Sequence, residues 1–249
     1  MKTFGLIGYP LSHSFSKEYF NQKFRSENIN ARYVNCPLAS VDDVRELLNS
    51  RHIAGFNVTL PYKQKIIPFL DELSREAAEI GAVNVIKVIH HAGKQILKGF
   101  NSDVTGFSLS LKPLLQPHHR RALVLGTGGA SRAVSFSLSR MAIEHRFVSQ
   151  RPEASMFSYA DLSPRIMNEY TLIVNTTPLG MYPETGTAPA IPYQHLTSAH
   201  LAFDLIYNPD VTLFLQKASQ QGSVVKNGKE MLILQAEKAW RIWNSDADV

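Results

Sequence analysis

The sequence predicts an α/β protein with two α/β domains, and two observations support that prediction. Short apolar runs typical of strands alternate with helical patterns along the chain, which favours sheets whose strands are joined through helices. The alternation restarts near residue 104, where the second half begins with a helix and then a strand, a glycine-rich turn and another helix. We therefore expect a first domain over residues 1–103, a second over residues 104–228, and a closing helix within residues 229–249.

The first half contains β-type runs in TFGLIG, ARYVNC and FNVTL, and helical patterns in SKEYFNQKFRSEN and VDDVRELLNS. Pro61 follows the third of these strands and suits the first turn of a helix, which would present Lys63 at the carboxyl end of the strand. A further helix is predicted in SREAAEIGA, with Ser74 as its N-cap and Gly81 as its C-cap. A β-hairpin turning at HAGK follows it.

The second half begins with the helical segment VTGFSLSLKPLL, which ends near Pro113. A strand, a turn and a helix are then predicted in HHRRALVLGTGGASRAVSFSLSRM, followed by strands in HRFVSQR, TLIVNTTP, LAFDLIY and GSVVKNG. The closing helix is KEMLILQAEKAWRIWN, and its apolar residues recur at intervals of three and four. Gln235 lies on that apolar stripe, where an amide needs a hydrogen-bond partner, and a structural partner is the default explanation.

Composition excludes several classes of protein. The 249 residues are 44% hydrophobic and 19% charged, as in ordinary globular proteins, and the net charge of +5 comes from scattered basic residues rather than a nucleic-acid-binding stripe. The single cysteine, Cys36, excludes an internal disulfide and a thiolate metal cluster. The apolar stretch at the N-terminus is too short for a signal peptide, because it is broken by Gly8 and Pro10. No run approaches the ~18 apolar residues of a membrane span. We expect a soluble cytoplasmic protein without a metal, a nucleic-acid partner or a membrane partner.

A glycine-rich loop places Gly126, Gly128 and Gly129 between an apolar strand and a helix, with Thr127 and Ala130 beside them. Small residues there let the backbone approach a pyrophosphate at the helix N-terminus, as in Rossmann-type dinucleotide sites. The loop departs from the usual G-x-G-x-x-G because Ser131 occupies the third glycine position. A tight turn without a ligand is the alternative, but the strand–loop–helix context favours a dinucleotide.

The end of the next strand distinguishes the two nicotinamide cofactors. An NAD site tends to place an acid there for the ribose 2′-hydroxyl, whereas an NADP site tends to offer an arginine to the 2′-phosphate. The strand ends in VSQRPE, so Arg151 stands where the acid would be. This arrangement predicts NADP, although Glu153 would reverse the preference if it turned inward.

Two polar stretches suit a small anionic ligand. Ser14 and Ser16 lie at the start of a helix, where hydroxyls and backbone N–H groups can bind a carboxylate, although plain N-capping explains them equally well. Asn101, Ser102 and Asp103 lie at the boundary between the two halves, where ligands commonly bind, but the same run is also typical of a turn.

The order of these stretches identifies a family resemblance. The chain contains, in sequence, GYPLSHSFS, GFNVTLPYK, IGAVN, GFNSDVTGF, GTGGASRA, NTTPLGM, FDLIYNP and NGKEMLILQA. It resembles the shikimate dehydrogenases, NADP-dependent enzymes of aromatic amino-acid biosynthesis that reduce 3-dehydroshikimate to shikimate. The resemblance covers nearly the full length, and eight motifs in one order are far more specific than a glycine loop.

The resemblance implies a role for each matching position. Lys63 and Asp103 form the catalytic pair, in which we expect Lys63 to transfer the proton and Asp103 to position both Lys63 and the reacting hydroxyl. The substrate's carboxylate and hydroxyls would be bound by Ser14, Ser16, Thr59, Asn84, Tyr207 and Gln235. The cofactor site would be lined by Gly126, Thr127, Gly128, Gly129, Ala130, Arg151, Leu205 and Gly228. The family fold is a substrate-binding domain and a Rossmann-like NADP-binding domain, and the last helix, residues 229–249, returns to the first.

The sequence also departs from the family pattern. Lys17 replaces the proline that usually follows the two serines of the first motif, which alters the start of the helix. Many members carry a second arginine shortly after the strand-end arginine, and Ser155 stands near that place here, so a weaker grip on the 2′-phosphate is expected. The stretch between Arg151 and TLIVNTTP is short, which predicts that a helix of the cofactor domain is reduced or lost.

Two other functions remain open from the sequence. A quinate/shikimate dehydrogenase is the nearest alternative, but it would more naturally have an acid at the position of Arg151. A dinucleotide-binding regulatory protein without turnover is the other, and it should have lost Lys63 or Asp103. The expected partner is a small-molecule substrate, and the chain could act as a monomer or a homodimer.

Overall fold

The computed structural model describes residues 1–11, 15–48 and 52–245. The chain divides into two compact units, of which the first comprises Met1–Ser102 and the chain from Ala236 onward, and the second comprises Asp103–Gln235. The sequence predicts boundaries at 103/104 and 228/229. In the structure, by contrast, the first turns of the last helix, up to Gln235, belong to the second unit. Within the described residues, no helix combines the length and the apolar character needed to cross a membrane.

The first unit alternates strands and helices, with a hairpin at its end. Its elements are β1 (Lys2–Gly8), α1 (Phe15–Ser26), β2 (Ala31–Pro37), α2 (Val44–Leu48), β3 (Ile53–Val58), β4 (Glu72–Leu73), α3 (Arg75–Ile80), β5 (Val85–His91) and β6 (Lys94–Phe100). Short 3₁₀ helices occur at Val41–Asp43 and Ile67–Phe69. The hairpin of β5 and β6 and the caps of α3 confirm the sequence prediction, since Ser74 accepts from the Ala77 N–H and Gly81 is left-handed with φ of 68°.

The second unit also alternates strands and helices, although the connection between its third and fourth strands contains only a 3₁₀ helix, Tyr193–His195. Its elements are α4 (Asp103–Leu111), β7 (Arg121–Leu125), α5 (Gly129–Arg140), β8 (Glu144–Val148), α6 (Pro164–Glu169), β9 (Leu172–Asn175), β10 (Leu201–Asp204), α7 (Leu213–Gln220), β11 (Val224–Lys226) and α8 (Lys229–Asn244). The helix between β8 and β9 is only the six-residue α6, as the short stretch after Arg151 led us to expect. The sequence patterns predicted no helix at α7, and at α6 only a reduced or lost one.

The sheet of the first unit is mixed, in the order β2-β1-β3-β5-β6-β4. Strand β1 pairs in parallel with β2 and β3, whereas β5 runs antiparallel to both β3 and β6. The carboxyl ends of β1, β3 and β6 and the amino end of β5 therefore meet at one edge. We call this the first edge.

The sheet of the second unit is parallel, in the order β11-β10-β9-β7-β8. After β7 the chain moves to one side to form β8, and it then crosses to the other side of β7 to form β9. The strand order therefore reverses between β7 and β9, and in open α/β sheets ligands bind outside the carboxyl ends of the strands at such a switch point. We call the carboxyl side of this sheet the second edge.

The C-terminal part of α8 packs on the sheet of the first unit. The Trp243 ring stacks on Phe4 at a centroid distance of 4.6 Å, and its Nε1 donates to the Ile86 carbonyl at 3.1 Å. A Cβ on Gly55 would lie 2.5 Å from the indole, so glycine is needed there for the ring to reach the sheet. Burying a large aromatic side chain contributes roughly 2–3 kcal/mol, which explains how the helix is held to this unit.

The structure corrects one local prediction. Pro61 does not begin a regular helix, because residues 59–66 form turns before the 3₁₀ helix Ile67–Phe69. The physical reason is a distant partner: the Lys63 carbonyl accepts from the Val83 N–H at 2.7 Å and so does not continue a helical ladder. Lys63 still follows the carboxyl end of β3, but on a turn.

Candidate active site

Three predicted site residues lie at the first edge. Thr59 directly follows β3, and its N–H donates to the carbonyl of Ile7 near the end of β1 at 2.8 Å. Lys63 is half-buried four residues later, and its carbonyl is bound to Val83 next to Asn84. These backbone hydrogen bonds bring Thr59, Lys63 and Asn84 to the same end of the sheet, although they are up to 25 residues apart in sequence.

Asn84 is 3% exposed and is fixed through its amide. Its Nδ2 donates to Ser102 Oγ at 3.0 Å, and its Oδ1 accepts from the Ser102 N–H at 2.7 Å. Its own N–H donates to the Phe100 carbonyl at the end of β6. Because buried amides with all these bonds have one stable orientation, Asn84 is a rigid member of the first edge.

A buried tyrosine extends this network, and the sequence reading missed it. Tyr33, on β2, is 1% exposed, and its hydroxyl donates to Asn57 Oδ1 at 2.7 Å. Asn57 Nδ2 in turn donates to the Asn84 carbonyl at 3.2 Å. Ser16, in the first turn of α1, hydrogen-bonds the same tyrosine hydroxyl, whereas Ser14 lies outside the described residues.

Burial raises the pKa of Tyr33 well above its ordinary value, so its hydroxyl stays protonated and remains a donor. The available sequence signal was a tyrosine within an apolar strand, because a buried phenol requires a partner. The identity of that partner could not be read from the strand alone.

Asp103 and Gln235 lie on α4 and α8, two helices that contact each other within the second unit. Asp103 is 1% exposed and is the first residue of α4, where the helix dipole favours a negative charge. One turn later, a Cβ on Gly106 would lie 2.5 Å from the Met231 carbonyl and 3.0 Å from Gln235 Cβ. Glycine therefore lets α8 contact the backbone of α4, which places Gln235 beside the turn that begins with Asp103.

The glycine loop lies at the switch point of the second edge. Gly126 directly follows β7 with φ of +102°, a conformation that glycine adopts without strain, and its N–H donates to the Val148 carbonyl. Helix α5 begins at Gly129, and its N-cap, Gly128, provides no side-chain cap. Thr127 and Gly128 are exposed and Ala130 is half-buried. Apart from Gly128 and its two chain neighbours, no described residue comes within 4 Å of a Cβ built on Gly128, so the helix N-terminus faces open space that an anionic group can occupy.

The other predicted cofactor residues follow neighbouring strands at the same edge. Arg151 is exposed three residues after β8, and Leu205 and Tyr207 follow β10. Gly228 follows β11, and a Cβ on it would lie only 2.0 Å from the Leu205 carbonyl, so this position admits only glycine. The second edge therefore has a backbone cradle with an arginine beside it, which suits a phosphorylated dinucleotide.

No role was predicted from the sequence for the polar residues that end β9 and β10. Thr176 Oγ1 donates to the Leu125 carbonyl at 2.6 Å, and a Cβ on Gly126 would approach both Thr176 and Thr177 to 3.0 Å. Asn175 ends β9 and Asp204 ends β10, both fully buried and in contact with each other. The sequence signal that could have identified these residues is a polar side chain at the end of an apolar strand.

Comparison with known proteins agrees with this geometry. The model of the shikimate dehydrogenase substrate binding domain matches residues 6–86. An NADP(+) shikimate dehydrogenase of Caldanaerobacter subterraneus is 37% identical, covering 98% of this chain and 92% of that protein. The chain belongs to the shikimate dehydrogenase family. The Pelagibacter ubique member is 36% identical, with 98% and 93% of the two chains covered.

Solved members of the family share the fold. The Thermus thermophilus shikimate 5-dehydrogenase, solved with NADP(H) and shikimate, aligns with a TM-score of 0.86 at 31% identity, covering 98% of this chain and 94% of that one. The Listeria monocytogenes enzyme, solved with shikimate and NAD, has a TM-score of 0.83 at 25% identity, with 98% and 91% covered. The predicted family and two-domain α/β fold are thus confirmed, whereas the role of each site residue remains a prediction.

Proposed function

We propose that the chain is an NADP-dependent shikimate dehydrogenase that catalyses the reversible reduction of 3-dehydroshikimate to shikimate. The observation that most supports this function is the grouping of Thr59, Lys63 and Asn84 at the first edge, although Asn84 belongs to a different family motif from Thr59 and Lys63. A glycine cradle at the switch point of the second sheet supports the dinucleotide. The proposal includes membership of the chorismate pathway, a cytoplasmic location, a monomer or homodimer, and no nucleic-acid or membrane partner.

The substrate would be held by hydroxyl and amide groups. Ser16, in the first turn of α1, suits the carboxylate together with Ser14, which precedes it by two residues in sequence, because hydroxyls and the first N–H groups of a helix stabilise negative charge. Thr59 and Asn84 at the first edge, with Tyr207 and Gln235 from the second unit, suit the ring hydroxyls. The fixed orientation of Asn84 supports a role in selecting the positions of those hydroxyls.

The cofactor would be held at the second edge by Gly126, Thr127, Gly128, Gly129, Ala130, Arg151, Leu205 and Gly228. The uncapped start of α5 suits the pyrophosphate, and the exposed Arg151 suits the 2′-phosphate, since a guanidinium can form two parallel hydrogen bonds to it. Bound NADPH would supply a hydride to the substrate's ketone carbon, and the former carbonyl oxygen would then carry negative charge.

Lys63 completes the reduction by giving a proton. Its ammonium donates a proton to the developing alkoxide, which becomes the hydroxyl of shikimate, and the neutral amine regains a proton from solvent. In the oxidation direction the amine accepts the hydroxyl proton. Asp103 orients the lysine and the reacting hydroxyl, and its carboxylate is stabilised by its place at the start of α4.

A turnover assay tests this function. Purified chain is mixed with shikimate and NADP, shikimate and NAD, or quinate with either cofactor, and formation of reduced nicotinamide is followed by absorbance. We expect kcat/KM for shikimate with NADP to exceed every other combination by at least about tenfold, because NAD lacks the 2′-phosphate proposed for Arg151, and quinate has an additional hydroxyl and a saturated ring. Faster turnover of quinate with NAD would instead indicate a quinate/shikimate dehydrogenase. Binding of NADP without turnover of either substrate would indicate a regulatory protein.

A further inference from the structure

Asp204 is a fully buried acid that the proposed reaction does not use. It is the last residue of β10, at the second edge, and it is 0% exposed. Its Oδ1 accepts from Asn175 Nδ2 at 3.0 Å and from the Ile206 N–H at 3.1 Å, and its Oδ2 accepts from Thr212 Oγ1 at 2.5 Å. Three donors from separate segments therefore converge on one carboxylate.

Each of those three donors lies at or after the carboxyl end of β9 or β10. Asn175 also accepts from the N–H and hydroxyl of Thr177, so it fixes the chain that follows β9 next to Gly126. Ile206 lies between the predicted cofactor residue Leu205 and the predicted substrate residue Tyr207. Thr212 is the N-cap of α7 and accepts from the Leu215 N–H.

We propose that Asp204 is a positioning residue that fixes the segments after β9 and β10, so that Leu205, Tyr207 and Thr177 meet the dinucleotide and the substrate in one geometry. It acts through Asn175, Ile206 and Thr212 and does not itself touch the reacting atoms. A displacement of about 1 Å in such supporting groups can reduce rates by up to about a hundredfold. This inference rests on the proposed function, because that function supplies the two ligands.

The ionised carboxylate is the form that suits this role. A neutral carboxylic acid would have to place its own O–H among three donors, and at least one of the present hydrogen bonds would be lost. Burial raises the pKa of Asp204 to about 6, although the bonds from Thr212, Ile206 and Asn175 lower it. Tyr193 is the titratable group on a neighbouring segment that is affected by the Asp204 charge, and burial followed by that charge raises its pKa, so it stays protonated.

The test compares the parent with Asp204→Asn and with Asp161→Asn. Asp161 is a matched control, because its carboxylate also accepts two hydrogen bonds, from the Ser158 N–H and hydroxyl, but lies on the surface of the β8–β9 connection. We expect Asp204→Asn to lower kcat/KM by about tenfold or more for both shikimate and NADP. Asp161→Asn should change the melting temperature without changing kcat/KM for shikimate or for NADP. Constants for Asp204→Asn within twofold of the parent would overturn the proposal.

A binding measurement keeps the inference testable if the proposed reaction is absent. The Kd of NADP is measured by calorimetry for parent and Asp204→Asn between pH 5 and pH 8, and the ratio of the two values at each pH cancels titration of the ligand's own phosphate. We expect the parent to bind NADP more tightly than Asp204→Asn at pH 8. This difference in Kd should shrink as the pH falls through about 6. A ratio that stays at one would overturn the positioning role, whereas NADP binding without turnover by the parent would overturn only the proposed reaction.

If Asp204→Asn does not fold, Thr212→Val provides the same test. It removes one donor and leaves the carboxylate in place, and we expect a smaller loss, about threefold, in kcat/KM for shikimate. An unchanged kcat/KM in a folded Thr212→Val variant would overturn the proposal.

Discussion

The two sheet edges are built in different ways, and the difference follows from the ligands proposed for them. At the first edge, buried side chains bind one another: Tyr33 to Asn57, Asn57 to the Asn84 backbone, and Asn84 to Ser102. At the second edge, the groups proposed to meet the ligand are mainly the backbone of a glycine loop, exposed at Thr127 and Gly128, and the surface residue Arg151. A small, rigid ring with several hydroxyls needs fixed donors and acceptors, whereas a long phosphorylated cofactor needs close backbone approach and positive charge.

Loss of the proton carrier should have the largest effect. Lys63→Met removes the ammonium while keeping a side chain of similar length, and we expect kcat to fall by ~10²–10⁴ because general acid–base groups usually contribute that much. Shikimate and NADP should still bind, since the variant keeps the other side chains and the backbone groups proposed to hold them. The measurement is steady-state turnover together with equilibrium binding of both ligands.

The control is Lys65→Met, since Lys65 is an exposed lysine two residues along the same turn. Its kcat should stay within about twofold of the parent, because surface substitutions rarely affect chemistry. If Lys63→Met retains more than about a tenth of the parent kcat, the loss is smaller than removal of a general acid–base group usually causes. Asp103 then becomes the candidate proton carrier.

The next largest effect should come from the charge at the second edge. Arg151→Ala removes the guanidinium proposed for the 2′-phosphate, and charged hydrogen bonds of this kind contribute about 1.5–3 kcal/mol. We therefore expect the ratio of kcat/KM for NADP to that for NAD to fall about tenfold to a hundredfold. Arg120→Ala, another exposed arginine on the preceding connection to β7, should leave the ratio unchanged. An unchanged ratio in Arg151→Ala would mean that another residue binds the phosphate.

Gln235 tests whether the second unit also contacts the substrate. Gln235→Ala removes an amide beside the first turn of α4, and loss of a neutral hydrogen bond should raise KM for shikimate about two- to tenfold. KM for NADP should rise less. Gln216→Ala, on the exposed face of α7, is the control. A lower melting temperature with an unchanged KM for shikimate would show that Gln235 is purely structural.

The smallest expected effect concerns the hydroxyl of Tyr33. Tyr33→Phe keeps the ring in the core but frees Asn57 and Ser16 to reorient, so we expect KM for shikimate to rise about two- to fivefold and KM for NADP to stay constant. Tyr62→Phe is a matched control, because that buried hydroxyl donates to the Leu38 carbonyl instead. Both variants should lose about 1–2 kcal/mol of stability. Equal KM values for shikimate in the two variants would remove Tyr33 from the recognition network.

Much of the fold could be predicted because its signals are local. The caps Ser74 and Gly81, the hairpin and the glycine turn each depend on neighbours within a few residues, and the closing helix was bounded by its apolar periodicity. The turn at Lys63 was predicted wrongly because its hydrogen-bond partner, Val83, is distant in sequence.

The site was predictable only in part for the same reason. The family motifs indicated Lys63, Asp103 and Arg151, but no motif shows that Thr59 and Asn84 share an edge, since that follows from strand order. Tyr33 and Asp204 were missed because their roles depend on partners in other strands, and a single buried tyrosine or aspartate in a strand pattern does not identify those partners.

A crystal structure of the chain with shikimate and NADP would show which edge binds which ligand. In that structure we expect the ring hydroxyls of shikimate to lie within hydrogen-bond distance of Thr59, Lys63 and Asn84, and the 2′-phosphate to contact Arg151. Shikimate bound away from the first edge, or a 2′-phosphate that does not contact Arg151, would contradict this expectation.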